Sequence, residues 1–317
     1  MKKRKVLFID PVHPMLAREL EKSGYQCDQF PEYGRDELIR IIDEYTGIII
    51  RSKIRLDQEF LEHADKLRFI GRAGSGMENI DVDYAIRRGI ACLNAPEGNR
   101  DAVGEQAIGM ILSLFNHMKK ADTEVRNGSW LREENRGTEL NGKTIGIIGY
   151  GNTGSAFAKK LCGFDVEVLA YDKYKRNYGD PHISECDMPT LFDHCDIVSL
   201  HVPLTDETRY LVDEDFISSF KKNFYLVNTS RGKVVRTSDL VRGLQSAKIL
   251  GACLDVLEYE GLSYEQLQAD VLAAEDFRLL AAMENVILSP HVAGWTHESH
   301  YKIAMTLLGK IRDLRLD

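Results

Sequence analysis

Nothing in the 317-residue chain approaches the roughly 18 consecutive apolar residues of a membrane-spanning helix, so none is expected. The start, Met1 to Lys5, is basic, but the apolar stretch behind it, Val6 to Ile9, is too short for a signal-peptide core. Cysteine pairing signals are missing too. Cys27, Cys92, Cys162, Cys186, Cys195 and Cys253 form no C-x-x-C motif and no zinc-like spacing with histidine, so no metal site is expected. They read as reduced, buried thiols of a cytoplasmic protein. Positive charge is also scarce: 41 Lys and Arg against 49 Asp and Glu leave a net charge of −8, which argues against general nucleic-acid affinity. An anionic ligand must therefore find a local cluster of cations.

What is present is an ordinary globular composition, and at about 150 residues per domain the length suggests two domains. The central stretch organises the rest. Ile145 to Ile148 reads as a buried strand, Gly149, Gly151 and Gly154 form G-x-G-x-x-G, and Ser155 to Cys162 reads as a helix. That order of strand, tight turn and helix N-terminus receives a pyrophosphate, because the helix end presents unpaired N–H groups and a partial positive charge. The next strand, Val166 to Tyr171, ends at Asp172, which lies 172 − 154 = 18 residues past the last glycine. An acidic residue at about that distance holds a ribose hydroxyl, and it would repel the extra phosphate of NADP, so NAD is the expected cofactor. Lys173, Lys175 and Arg176 soften that preference.

Before this unit, strands at Val6 to Ile9, Ile48 to Arg51, Leu67 to Ile70 and Ile90 to Leu93 are expected. Helices are expected over Met15 to Lys22 and Asp81 to Arg88, stopped by Gly24 and Gly89. The pattern predicts a smaller flavodoxin-like α/β domain. Two of its loops follow strands and carry cations: Arg51-Ser52-Lys53, and Arg72 with Gly74, Ser75 and Gly76, whose glycines free backbone N–H groups for an anion. Ala95 to Asn99 reads as a linker, and Asp101 to Met118 as an amphipathic helix. The polar stretch 119–140 has no evident chemistry, and Trp130 is its one candidate anchor for a subunit contact.

Beyond Asp172, strands are expected at Ile197 to His201, Tyr225 to Asn228, Leu250 to Asp255 and Val286 to Leu288. Asp172, His201, Arg231, Asp255, Glu260 and His291 then stand at or beyond strand ends, which line one crevice in an open parallel sheet. A final helix is expected over Glu298 to Leu316. Hydride transfer to a nicotinamide needs a proton carrier, for which histidine is suited, a carboxylate to orient it, and a cation for an acid substrate. His291 and His201 both qualify by placement.

These motifs together resemble the D-isomer-specific 2-hydroxyacid dehydrogenases: Gly149 to Gly154, Asn228 to Gly232, Leu254-Asp255-Val256 with Glu260, Ser289 to Gly294, and Arg72 to Asp81. Within that family the Arg51-Ser52-Lys53 and Gly71 to Gly74 stretches are most similar to the D-3-phosphoglycerate dehydrogenases, in a short form without the regulatory domain. The resemblance implies a Rossmann-type doubly wound parallel sheet over 99–290 that binds NAD. It implies a smaller substrate-binding domain made of 1–98 and 291–317. It implies catalysis by His291 as proton acceptor, Glu260 as its partner and Arg231 as the substrate clamp. NAD is expected to touch Gly149, Gly151, Asn152, Thr153, Gly154, Asp172, Val202, Thr229, Ser230, Asp255, Ala293 and Gly294. Arg51, Lys53, Arg72, Gly74, Ser75 and Gly76 are expected to meet the substrate. A homodimer, no membrane and no nucleic acid complete the implied picture. The implied reaction is oxidation of D-3-phosphoglycerate at C2, the entry to serine synthesis. Another D-2-hydroxy acid (glycerate, glyoxylate or hydroxypyruvate, lactate) is the alternative. A catalytically silent NAD-sensing protein is disfavoured by the intact Arg231, Glu260 and His291. Two departures stand out: Gly261 follows Glu260 where proline is usual, and 291 − 260 = 31 residues separate carboxylate from histidine. The extra segment, Ser263 to Met283, reads as helix.

Overall fold

A computed structural model describes residues 4–261 and 274–315. Two compact units emerge: residues 4–99 with 295–315, and residues 100–261 with 274–294.

The first unit carries strands β1 (Lys5–Phe8), β2 (Gln26–Gln29), β3 (Gly47–Ile50), β4 (Phe69–Arg72) and β5 (Ala91–Leu93) in the order β2-β1-β3-β4-β5, all parallel. This is the flavodoxin-like order, with its reversal between β1 and β3. β3 is buried along its whole length, as its apolar run demands. β2, Gln-Cys-Asp-Gln, has no such run and was not anticipated; it survives as an edge strand because pairing with β1 satisfies its backbone. One face of the sheet is covered by Leu38, Ile42 and Phe60, the other by Leu16 and Leu20 together with Ile303, Leu307 and Ile311 of the last helix, His297–Asp313.

The second unit holds β6 (Thr144–Ile148), β7 (Glu167–Tyr171), β8 (Ser184–Glu185), β9 (Ile197–Leu200), β10 (Phe224–Asn228), β11 (Ile249–Leu254) and β12 (Val286–Leu288). Their order is β12-β11-β10-β9-β6-β7-β8, again all parallel, and it reverses between β6 and β9 as in a Rossmann sheet. Apolar clusters cover both faces, one centred on Phe157 and Ile147, the other on Phe220 and Phe224.

Three expectations need correction. Ala95 to Asn99 is not a linker, because a helix begins at Pro96 and runs to Phe115. Proline suits a first helical position, where its missing N–H costs nothing. Its apolar face, including Ala107, Met110, Ile111 and Leu114, is buried, but Met118 starts a separate, exposed helix after the left-handed His117. Of the six cysteines only Cys195 and Cys253 are buried; Cys27, Cys92 and Cys186 are half-buried and Cys162 is exposed. Of the helix read over Ser263 to Met283, Glu275–Ala282 is helical as expected, and residues 262–273 lie outside the described residues.

Candidate active site

The reversal between β6 and β9 is where the G-x-G-x-x-G turn sits. Two of its glycines answer to the protein itself. Gly149 has φ +94°, and a Cβ there would lie 2.5 Å from the carbonyl oxygen of His201. A Cβ on Gly154 would lie 2.0 Å from the carbonyl oxygen of Gly149. Gly151 differs: a Cβ there meets nothing within 4 Å, so its bareness leaves room for a ligand. The helix Asn152–Leu161 starts at once behind it, with no side chain capping its end. Asn152 and Thr153 thus present backbone N–H groups beside open space, which fits a pyrophosphate. Val202, next to His201, lies 3.0 Å from where a Gly149 Cβ would be.

Asp172, just past β7, accepts hydrogen bonds from the backbone N–H groups of Tyr150 (2.8 Å), Tyr174 (2.9 Å) and Lys175 (2.9 Å). Burial pushes its carboxyl up, but the donors of Lys175, Tyr174 and Tyr150 outweigh that and hold it below the usual range. It therefore stays ionised.

Past β10, Asn228 builds the next loop. Its Oδ1 accepts from Ser230 N (3.0 Å) and Ser230 Oγ (2.7 Å), and its Nδ2 donates to the carbonyl of Arg231 (3.0 Å). Thr229 and Ser230 are buried by this fold-back. Gly232 then approaches the following loop so closely that a Cβ would sit 1.9 Å from the carbonyl oxygen of Leu257. Leu257 N donates in turn to Glu260 Oε1, and Glu260 Oε2 lies 2.7 Å from His291 Nδ1. A run of contacts therefore ties the Arg231 loop to the imidazole. Glu258, two residues earlier, is occupied elsewhere: it accepts from Tyr210 Oη (2.8 Å) and from Thr237 N (2.9 Å) at a helix start.

The His291 loop is held by Asp255, which is 1% exposed. Its carboxylate accepts from Ser289 Oγ (2.6 Å), Val292 N (2.9 Å) and Ala293 N (2.8 Å), and its carbonyl from His291 N (2.7 Å). His291 itself has φ +55°, a left-handed backbone that a non-glycine residue adopts only when its surroundings impose it. A carboxylate can only accept, so Nδ1 of His291 carries the proton and Nε2 of the neutral ring carries the lone pair. His291 and Glu260 side chains remain 22% and 16% exposed, enough for a small molecule to reach them.

His201 does not join this group. It packs against Phe157 at 5.2 Å between ring centres, and its Nε2 pairs with Ser199 Oγ at 2.9 Å. Burial pushes its pKa down to about 3, so it is a neutral core residue.

In the first unit, the loop after β3 is shaped by Asp10, which sequence reading did not single out. Its Oδ2 accepts from the backbone N–H groups of Arg51 (2.6 Å), Ser52 (3.1 Å) and Lys53 (3.3 Å). Lys53 Nζ donates to the carbonyl of Pro31, and the Arg51 guanidinium lies over the ring of Trp295. Arg72 folds back over Gly74, so that a Cβ there would lie 1.5 Å from Arg72 Nη1. Ser75 is held by Asn99 (2.8 Å) and Asn94 (2.7 Å), and Gly76 follows it in the same loop. Among the described residues no group of three or more His, Cys, Asp or Glu side chains is placed to hold a metal ion, and no helix is long and apolar enough to cross a membrane.

Residues 108–293 match the family described as D-isomer specific 2-hydroxyacid dehydrogenase, NAD binding domain. A hydroxypyruvate reductase from Thermotoga maritima is 35% identical over 87% of this chain and 87% of its own. A D-3-phosphoglycerate dehydrogenase from Archaeoglobus fulgidus is 33% identical over 96% of this chain, which spans only 56% of that longer protein. The crystal structure of D-lactate dehydrogenase from Aquifex aeolicus, complexed with NAD and lactic acid, superposes with a TM-score of 0.83 at 28% identity, covering 98% of this chain and 95% of that one. The chain belongs to the D-isomer-specific 2-hydroxyacid dehydrogenases, NAD-linked oxidoreductases of D-2-hydroxy acids.

Proposed function

We propose that the chain oxidises D-3-phosphoglycerate to 3-phosphooxypyruvate, the entry to serine synthesis, in the cytoplasm. The observation that carries the chemistry is the His291–Glu260 pair, with Nδ1 committed to the carboxylate. Nε2 takes the proton of the C2 hydroxyl as the C2 hydride leaves, and Glu260 stabilises the imidazolium that results. The nicotinamide, when bound, accepts that hydride. Arg231 grips the substrate carboxylate and polarises the neighbouring oxygen. Gly149, Gly151, Asn152, Thr153 and Gly154 receive the pyrophosphate, Asp172 the ribose, and Val202, Thr229, Ser230, Ala293 and Gly294 line the cofactor. Asp255 acts there by holding the 291–294 loop. In this reading residues 4–99 with 295–315 are the substrate domain.

The phosphate reading is supported by Arg51 and Lys53 just past β3 and Arg72 at the end of β4, three cations of a chain whose net charge is −8. Gly74, Ser75 and Gly76 complete that loop surface. Purified protein with NAD is expected to form NADH on D-3-phosphoglycerate; turnover on glycerate or lactate alone would overturn the substrate. One observation favours a second reading, an acid without phosphate such as hydroxypyruvate: Lys53 is already engaged by the Pro31 carbonyl. Under that reading Lys53→Ala leaves KM unchanged.

We also propose a homodimer. Met118, Val125, Trp130 and Leu131 are exposed on one short stretch, with Trp130 at 77% exposure, and a second copy would cover them. Light scattering of the Trp130→Ala variant tests this: a shift towards monomer is expected.

A further inference from the structure

Ligands of an open parallel sheet bind outside its carboxyl ends, where the strand order reverses. In the smaller sheet that place lies between β1 and β3. Asp10 follows β1 there, and Arg51 follows β3. Asp10 fixes the backbone of the Arg51 loop, as described. The guanidinium is fixed by other means: its Cζ lies 3.9 Å from the centre of the Trp295 ring. Trp295 is placed by the last helix. Thr296 caps that helix through a reciprocal pair with Ser299, and Trp295 is the residue before the cap. Its ring lies 5.5 Å from that of His300 on the first turn, in the manner of a hydrophobic staple, and His13 stands 5.3 Å behind His300. Leu16, Arg51, Trp295, His300 and Ile303 line one small concavity. The indole remains 48% exposed, so it is more than core packing.

A guanidinium on a long side chain samples many rotamers, and an aromatic face attracts the cation and sets its plane. We propose that Trp295 is a positioning residue for Arg51, which holds the guanidinium for the second anionic group of the substrate and thereby sets the preference for acids that carry one. The proposal rests on the reading that Arg51 meets the substrate. It adds a residue that no motif marks: Trp295 lies four positions after His291 along the chain, so one segment carries the proton acceptor and the support of the anion-binding arginine.

The test uses the full-length enzyme with NAD and D-3-phosphoglycerate, and four variants: Arg51→Ala, Trp295→Leu, Trp295→Phe, and Arg51→Ala with Trp295→Leu. Trp295→Leu is expected to raise KM about two- to fivefold, the scale of an exposed cation–π contact, with kcat little changed. Trp295→Phe should fall between. In the Arg51→Ala background the second substitution should change KM no further, because its target is gone. Added phosphoglycerate should change the tryptophan emission of the wild type but not of Trp295→Phe or Arg51→Ala. If Arg51→Ala raises KM and Trp295→Leu does not, the positioning role is wrong and the arginine's role stands. If the two effects add, Trp295 acts on its own and the proposal fails. If Arg51→Ala leaves KM unchanged for phosphorylated and plain acids alike, the substrate reading and the positioning role fall together.

Discussion

The carboxylate of Asp255 lies 2.8 Å from the backbone nitrogen of Ala293 and is almost wholly buried. With Val292 N and Ser289 Oγ on the same group, one side chain just past β11 fixes the segment that carries His291. The left-handed backbone at His291 persists because these bonds over-determine it.

Asp255→Asn is therefore expected to damage the loop before it damages the cofactor site. An amide replaces one acceptor oxygen with a donor, which leaves a buried N–H facing another N–H. The cost is about 1–3 kcal/mol of stability. Urea unfolding should show that loss, and kcat should fall because the imidazole is no longer held.

The glycines of the dinucleotide turn separate by cause. Gly154→Ala drives a Cβ to 2.0 Å from a backbone oxygen that cannot move far, so the fold should lose at least about 1–3 kcal/mol. Gly151→Ala meets only open space, so the melting temperature should hold. NAD affinity should drop at least about tenfold, since the methyl fills the room a phosphate needs. Calorimetric titration with NAD and thermal unfolding distinguish the two variants.

His201 gives a pH signature. Its folded pKa of about 3 lies well below the unfolded value of about 6.5. The unfolded chain therefore binds the extra proton first as pH falls. The stability that the neutral ring contributes is present above about pH 6.5 and is lost progressively towards pH 3, at up to about 1.4 kcal/mol per pH unit. Unfolding midpoints measured from pH 7 to pH 5 should fall, and His201→Asn should flatten that slope.

Strands with apolar runs, such as β3, β6 and β9, were legible because full burial demands such runs. β2 was not, since an edge strand is held by its neighbour's backbone and its own side chains say little. Pro96 misled: the same residue that breaks a helix interior opens one. His201 and His291 look alike by position; the resemblance points to His291, and the packing of His201 against Phe157 and the bond of His291 to Glu260 separate the two in the fold. Glu258 lies two residues before Glu260, and their bonds to Thr237 and to His291 tell the two carboxylates apart. Asp10 and Trp295 carried no pattern at all. Each acts through a residue distant in the chain, Arg51, and no local spacing reports such a contact.

The most direct measurement of the central claim is the rate of NADH formation by His291→Gln on D-3-phosphoglycerate, with NAD binding checked beside it. The account predicts normal NAD affinity and a kcat lower by about 10²–10⁴-fold, the usual contribution of a general base. Near-normal turnover would contradict it, because the proton of the C2 hydroxyl would then leave without the imidazole that Glu260 holds.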